Sequence, residues 1–126
     1  MIPRDLLYTK EHEWIRLDGE TGVIGITEHA QTSLGDITFV ELPQPGKCFA
    51  AGETIGTVES VKTVSEIYSP VSCEILEANS LLNDQPEHVN SDPYGQGWML
   101  KIKIRKPDEV KKLLSPTDYE SFVSES

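Results

Sequence analysis

Short alternating runs of apolar and polar residues, broken by turn residues, fill the chain as far as Ile104. A helical period sets in only after Pro107. Trp14 to Leu17 alternates, Asp18-Gly19 tolerates the positive φ of a tight reversal, and Val23 to Ile26 returns as a strand. Thr27 then reads as a helix cap with Glu28 in the first turn, Ala30 and Leu34 facing inward and Gly35 as the left-handed stop. Thr38 to Leu42 reads as a strand with Phe39 and Val40 on opposite faces, and Pro43-Gln44-Pro45-Gly46 as a loop. Gly52-Glu53 is a turn. Thr54 to Glu59 and Thr63 to Tyr68 form a hairpin with Lys62 at its tip, and Ser69-Pro70 turns the chain again. Cys73 to Ala78 is a strand with Ile75 and Leu76 opposed. Trp98 to Ile104 is a central strand with Trp98, Leu100, Ile102 and Ile104 on one face.

Residues 79–97 are polar and rich in turn formers. That is long for a connection, which points to function or to short helical turns within it. Beyond Pro107, Val110, Leu113 and Leu114 have helical spacing. Ser115-Pro116-Thr117-Asp118 opens a second short helix carrying Tyr119, Phe122 and Val123. The expected architecture is mainly β and occupies one domain over residues 1–126. Its β core covers about 8–104, and a helical extension at 107–125 covers one end.

Charge narrows the partners. The chain carries 21 acidic against 11 basic residues, a formal net of −10. That balance argues against nucleic acid and against an anionic membrane surface, and it suits a partner with a basic docking face. No apolar run approaches the roughly 20 residues of a membrane helix, and the first residues lack a secretory or transit pattern. The expected setting is the cytoplasm, or the mitochondrial matrix for a processed eukaryotic chain. Cys48 and Cys73 form neither a CxxC nor a zinc spacing, and both are expected as buried thiols.

Catalytic equipment is sparse. There is no Gly-x-Ser-x-Gly, neither cysteine has a histidine companion, and His12, His29 and His88 are scattered. Tyr94-Gly95-Gln96-Gly97-Trp98 contains Gly-x-Gly, but a strand follows it where a dinucleotide site needs a helix. What stands out is Glu59-Ser60-Val61-Lys62-Thr63, which presents an amine where the chain reverses. An amide at that amine removes one positive charge and moves the net from −10 to −11.

That segment belongs to an ordered set. Tyr8-Thr9-Lys10-Glu11-His12-Glu13-Trp14, Gly25-Ile26-Thr27-Glu28-His29-Ala30-Gln31, Leu34-Gly35-Asp36 and Phe39-Val40-Glu41-Leu42-Pro43 precede it. Pro86-Glu87, Val89-Asn90, Asp92-Pro93-Tyr94-Gly95 and Gly97-Trp98 follow it. In this order and spacing the chain resembles the H-protein family of the glycine cleavage system. The likeness runs from about Tyr8 to Ile104.

The resemblance implies a barrel-sandwich hybrid of two antiparallel sheets, with a short internal helix, two short C-terminal helices and lipoate attached covalently to Lys62. It implies a non-catalytic, monomeric carrier. Such a carrier takes the aminomethyl group of glycine from the pyridoxal-phosphate glycine decarboxylase (P protein) to the folate-dependent aminomethyltransferase (T protein). It also takes reducing equivalents to dihydrolipoyl dehydrogenase (L protein). A lipoate ligase or an octanoyltransferase would install the arm, reading Glu59, Ser60, Val61 and Glu66 around the turn. Glu11, Glu13, His29 and Glu66 are the candidates for a cleft that shelters the cationic end of the loaded arm. The alternative is a lipoate relay that passes its acyl group to other lipoyl domains. One departure concerns Cys73, where the family commonly has glycine: if that site required positive φ, cysteine would be strained there.

Overall fold

The computed structural model describes residues 2–124. Among the described residues, nine strands form two antiparallel sheets. They are β1 (Leu7–Tyr8), β2 (Glu13–Asp18), β3 (Thr21–Ile26), β4 (Ile37–Glu41), β5 (Cys48–Phe49), β6 (Thr54–Ser60), β7 (Val64–Tyr68), β8 (Cys73–Ala78) and β9 (Leu100–Ile104). One sheet has the order β1-β2-β3-β9-β8-β5, and the other is β4-β6-β7. The helices are α1 (Glu28–Leu34), α2 (Leu81–Asp84), α3 (His88–Ser91) and α4 (Pro116–Ser124). A 3-10 helix covers Pro107–Lys112.

The core follows from the alternation. Leu100, Ile102 and Ile104 of β9 are buried while Lys101 and Lys103 face solvent, so one face of the strand packs inward. Ile24, Ile75 and Ile102 of the larger sheet meet Val40, Val58 and Ile67 of the smaller one in a single apolar cluster. A second cluster gathers Leu6, Tyr8, Trp14 and Tyr119 where the N-terminal segment meets α4. Trp14 lies directly across from Gly25. A Cβ at position 25 would fall 2.7 Å from the indole, so only glycine lets the ring lie flat on β3.

The helix over Thr27 forms for the expected reason. The Thr27 hydroxyl accepts from the Ala30 amide at 3.2 Å, and Gly35 ends the helix at φ 83°. Two short helices, α2 and α3, occupy the 79–97 connection.

Several expectations need correction. Trp98 does not belong to the last strand. Asn79 Nδ2 donates to the carbonyls of both Gln96 and Trp98, holding that segment as a turn, and Trp98 packs on the second cluster. The helix after Pro107 is 3-10 and stops at Lys112. Leu114 instead exchanges two backbone hydrogen bonds with Tyr8, at 2.9 and 2.7 Å. Cys48 is exposed, not buried; it sits on β5 at the sheet edge, where Arg105 Nη1 donates to its sulfur at 3.4 Å. Cys73 is buried in β8 and has no positive φ, so cysteine causes no strain there. Outside glycine, the positive φ among the described residues falls on His12, at 69°.

Tyr119 ties α4 to the body. Its ring stacks on Tyr8 with centroids 4.6 Å apart, and its hydroxyl lies 2.8 Å from both His12 Nδ1 and Thr27 Oγ1. Burial pushes its phenol up to about 12, so it stays protonated and shares one O–H with two partners. Tyr119→Phe keeps the stack and takes one hydrogen bond from each of His12 and Thr27, the latter keeping its Ala30 bond. The expected cost is about 1–3 kcal/mol in urea denaturation at unchanged m-value.

Candidate functional site

Lys62 sits at the tip of the β6–β7 hairpin. The last ladder pair is Glu59 with Val64, and the Ser60 amide donates to the Thr63 carbonyl at 2.8 Å. Val61 and Lys62 fill the two central positions of this turn, and neither takes positive φ. The turn is held by a side chain: the buried Ser60 Oγ accepts from the amides of both Lys62 and Thr63, each at 3.2 Å. The Val61 amide donates to the Asp36 carbonyl at 3.1 Å and ties the tip to the loop after α1. Ser60 therefore shapes the turn from within, while the Glu59 side chain faces solvent.

The lysine side chain is exposed and leans over the end of α1. Its Nζ reaches the Ser33 carbonyl at 3.4 Å, near the limit for a hydrogen bond. Its stem passes Gly35 so closely that a Cβ there would stand 3.2 Å from Cε. The last turn of α1 holds no basic residue of its own, and the Lys62 ammonium stands by one of its carbonyls. The contact is weak and solvated, and it leaves the nitrogen open to reagents.

The carboxylates fall into two environments. Glu13 is buried, 2% exposed, at the start of β2. Its Oε1 accepts from the Thr9 hydroxyl at 2.6 Å, and its Oε2 accepts from the Tyr68 amide at 3.0 Å. That second bond joins the two sheets, because it occupies an amide on the open edge of β7. Burial raises the Glu13 carboxyl to about 7; the Thr9 and Tyr68 hydrogen bonds act against this and Glu11 adds to it. Glu66 is exposed, and its Oε2 accepts from the Tyr68 hydroxyl at 3.0 Å. Tyr68 thus links the pair, with its amide on Glu13 and its phenol on Glu66.

His29 forms a different group. Its ring lies 4.5 Å from that of His12, which bonds to Tyr119. Burial, then the neighbouring His29, lowers the His12 pKa, and the exposed Glu11 opposes the shift. Glu13 with Glu66 and His12 with His29 are accordingly two pairs, with Glu11 acting electrostatically on Glu13 and His12. From Lys62 to Tyr68 the chain spans six residues of near-extended backbone, roughly 20 Å. Among the described residues neither carboxylate pairs with the amine; Glu66 stands on the strand that leads away from it, and Glu13 of β2 meets that strand at Tyr68.

Thr9, Tyr68 and Gly35 are not among the site candidates that the sequence offers; Gly35 stands there as the stop of α1. The Ser60–Thr63 spacing carries a recognisable turn signal. Nothing near Thr9 announces that it will meet a buried acid. Among the described residues, no group of three or more His, Cys, Asp or Glu could hold a metal ion, and no helix is long and apolar enough to cross a membrane.

With this geometry in place, comparison with known proteins is direct. The family model described as glycine cleavage H-protein matches residues 6–126. The chain belongs to the glycine cleavage H-protein family.

Among its relatives, the glycine cleavage system H protein of Herpetosiphon aurantiacus is 56% identical over 124 residues, covering 98% of this chain and 95% of that protein. The one from Carboxydothermus hydrogenoformans is 51% identical, covering 99% and 96%. A crystal structure of a glycine cleavage system H protein from Mycobacterium marinum superposes with a TM-score of 0.84 at 38% identity, covering 95% of this chain and 97% of that one. The two-sheet architecture is the lipoyl-domain-like barrel-sandwich of this family. The family is that of the lipoyl-carrying shuttle of the glycine cleavage system, a carrier subunit and not a catalyst, and this chain is one of its members. Its relatives give the lipoate-relay alternative no support.

Proposed function

We propose that Lys62 is the residue that carries lipoate. The observation behind this reading is the pairing of a fixed backbone with a loose side chain. Ser60 and Asp36 hold the turn, while Lys62 is exposed and its Nζ hydrogen-bonds, among the described residues, only the Ser33 carbonyl at 3.4 Å. The residues fit the group: Gly35 leaves room under the stem, and the exposed Val61 and Val64 flank an apolar chain leaving the amine. When bound, lipoate supplies a dithiolane that accepts and releases a carbon group and electrons.

The chain's own residues supply position and shelter. Val64, Glu66 and Tyr68 alternate on the outward side of β7 and would line the arm. Glu66 and Glu13 would stabilise a cationic cargo end at the Tyr68 end of that strand, with Glu11 adding negative potential. A carboxyl held near 7 can give or take a proton at neutral pH, which suits a group guarding a bound amine. His29 would act through His12, whose pKa its presence lowers. Replacing Glu13 by Gln is expected to quicken ammonia loss from the loaded carrier; single-turnover ammonia assays check this, and an unchanged rate rejects the role.

On this reading the partners are the P, T and L proteins together with a lipoate ligase or octanoyltransferase. Glu59, Ser60, Val61 and Glu66 are the features that the modifying enzyme meets. The chain works as a single monomeric domain in the cytoplasm. Intact mass and peptide mapping of protein isolated from its own host test the assignment. The expected result is one acyl group, on the peptide that contains Lys62. Lysine moved to position 61 or 63 is expected to stay unmodified, because a one-residue shift reverses the face it presents.

A further inference from the structure

The outer face of the small sheet is bare and apolar close to the turn. Five large hydrophobic residues are markedly exposed among the described residues: Leu17, Phe39, Val61, Val64 and Leu76. Three of them converge on the lysine. Phe39 is 50% exposed, Val64 59% and Val61 67%. The register explains the convergence. Phe39 of β4 lies across from Glu59 of β6, and Glu59 lies across from Val64 of β7. Cross-strand partners share a face, so the three side chains form one row over the sheet, and Val61 extends it into the turn. The next row is Glu41, Thr57 and Glu66. Below the sheet, Val40, Val58 and Ile67 fill the core, so the backbone under the row is anchored from within.

Exposed apolar clusters with polar rims mark places where other surfaces bind. The charge is one-sided as well. Strands β4, β6 and β7 contain three glutamates at their exposed positions and no lysine or arginine. Acylation would remove the positive charge of Lys62 beside them.

We propose that the Phe39–Glu59–Val64 row, with Val61 at its end, is the docking surface of the enzyme that acylates Lys62, and that this enzyme meets it with an apolar patch bordered by lysine or arginine. The inference rests on the assignment of Lys62 as the modified residue. Reach selects this occupant. Acylation needs the Nζ lone pair about 3 Å from an activated acyl carbon. The ammonium loses its proton, the N–C bond forms, and the bond from acyl carbon to the leaving phosphate or thiolate breaks. The modifying enzyme must therefore close over the turn and cover the row beside it. An enzyme that works at the far end of a long arm has no such need. The basic border follows from Glu41, Glu59 and Glu66.

The test uses unmodified full-length protein, a lipoate ligase, ATP and lipoate, with initial rates read by intact mass and sites by peptide mapping. The single variants Phe39→Ser and Glu59→Lys are compared with wild type. Both variants change exposed side chains, and unfolding curves verify that they remain folded. Their kcat/KM for acylation is expected to fall by about tenfold or more, mainly through KM. Once acylated to completion, both are expected to be reduced and reoxidised by dihydrolipoyl dehydrogenase at the wild-type rate. Acylation of Lys62 at the wild-type rate in the folded Phe39→Ser variant overturns the docking surface and leaves the Lys62 assignment standing. An equal loss in the dehydrogenase assay overturns the choice of occupant. A wild-type chain labelled elsewhere, or not at all, removes the Lys62 assignment itself.

Discussion

Lys62→Arg is expected to abolish acylation and to reduce glycine turnover in a reconstituted system to the level without carrier. Arginine keeps the positive charge near the Ser33 carbonyl and occupies the same exposed tip. The Ser60 bonds that build the turn use backbone amides, which the substitution leaves in place. Folding stability is therefore expected to change by less than about 0.5 kcal/mol. The chemistry changes completely, because a guanidinium does not give up its proton near neutral pH and offers no nucleophilic lone pair. A folded protein that is not acylated and not active separates the role of the amine from the role of the fold. Glycine turnover at the wild-type rate by this variant would end the assignment.

The second large effect is a pH dependence of stability that originates at Glu13. Burial raises its carboxyl from the ordinary 4.5 to about 7 in the folded chain. A group with a raised folded-state value contributes stability that is fully present below the unfolded value and is lost as pH rises through the folded one. Between about 4.5 and 7 the unfolded chain has released this proton and the native chain still holds it. Stability should fall through that window at up to about 1.4 kcal/mol per pH unit, or about 3 kcal/mol in all. The Thr9 hydroxyl suits both states, donating to the carboxylate and accepting from the acid. Urea unfolding of wild type and Glu13→Gln at pH 4.5 to 8 isolates the contribution, since the other carboxylates are common to both. The wild type should lose stability relative to the variant as pH rises. Parallel curves would show that folding does not raise the Glu13 pKa.

The parts of this structure legible in sequence are those where local chemistry and tertiary packing agree. Alternation put Phe39 and Val40, and likewise Ile75 and Leu76, on opposite faces; the structure buries Val40 and Ile75 and exposes Phe39 and Leu76. Thr27 and Gly35 bounded α1 because a hydroxyl cap and a left-handed glycine are local devices. Strands β1 and β5 have two residues each, too few to display a period, and their pairing depends on Ile15, Trp14 and the 73–74 pair far away in sequence. Trp98 continues the alternation of β9 yet leaves the strand, because the Asn79 amide captures its carbonyl from outside. At the site, the turn and its amine were legible. The burial of Glu13 was not, since Glu11-His12-Glu13 reads as a solvated run. Its environment is assembled by Thr9 on one side and by an edge amide of the opposite sheet on the other. The bare row from Phe39 to Val64 depends on the register of three strands and on no helix covering them, which alternation within one strand cannot report.

The reversal at Ser60–Thr63 is braced without glycine and tied to the Asp36 carbonyl, so the tether leaves the body from a fixed pivot. A swinging end anchored this way samples a shell of constant centre. Its local concentration at a docked neighbour is then governed by tether length alone, and any slack would have to come from the arm and not from the hinge beneath it.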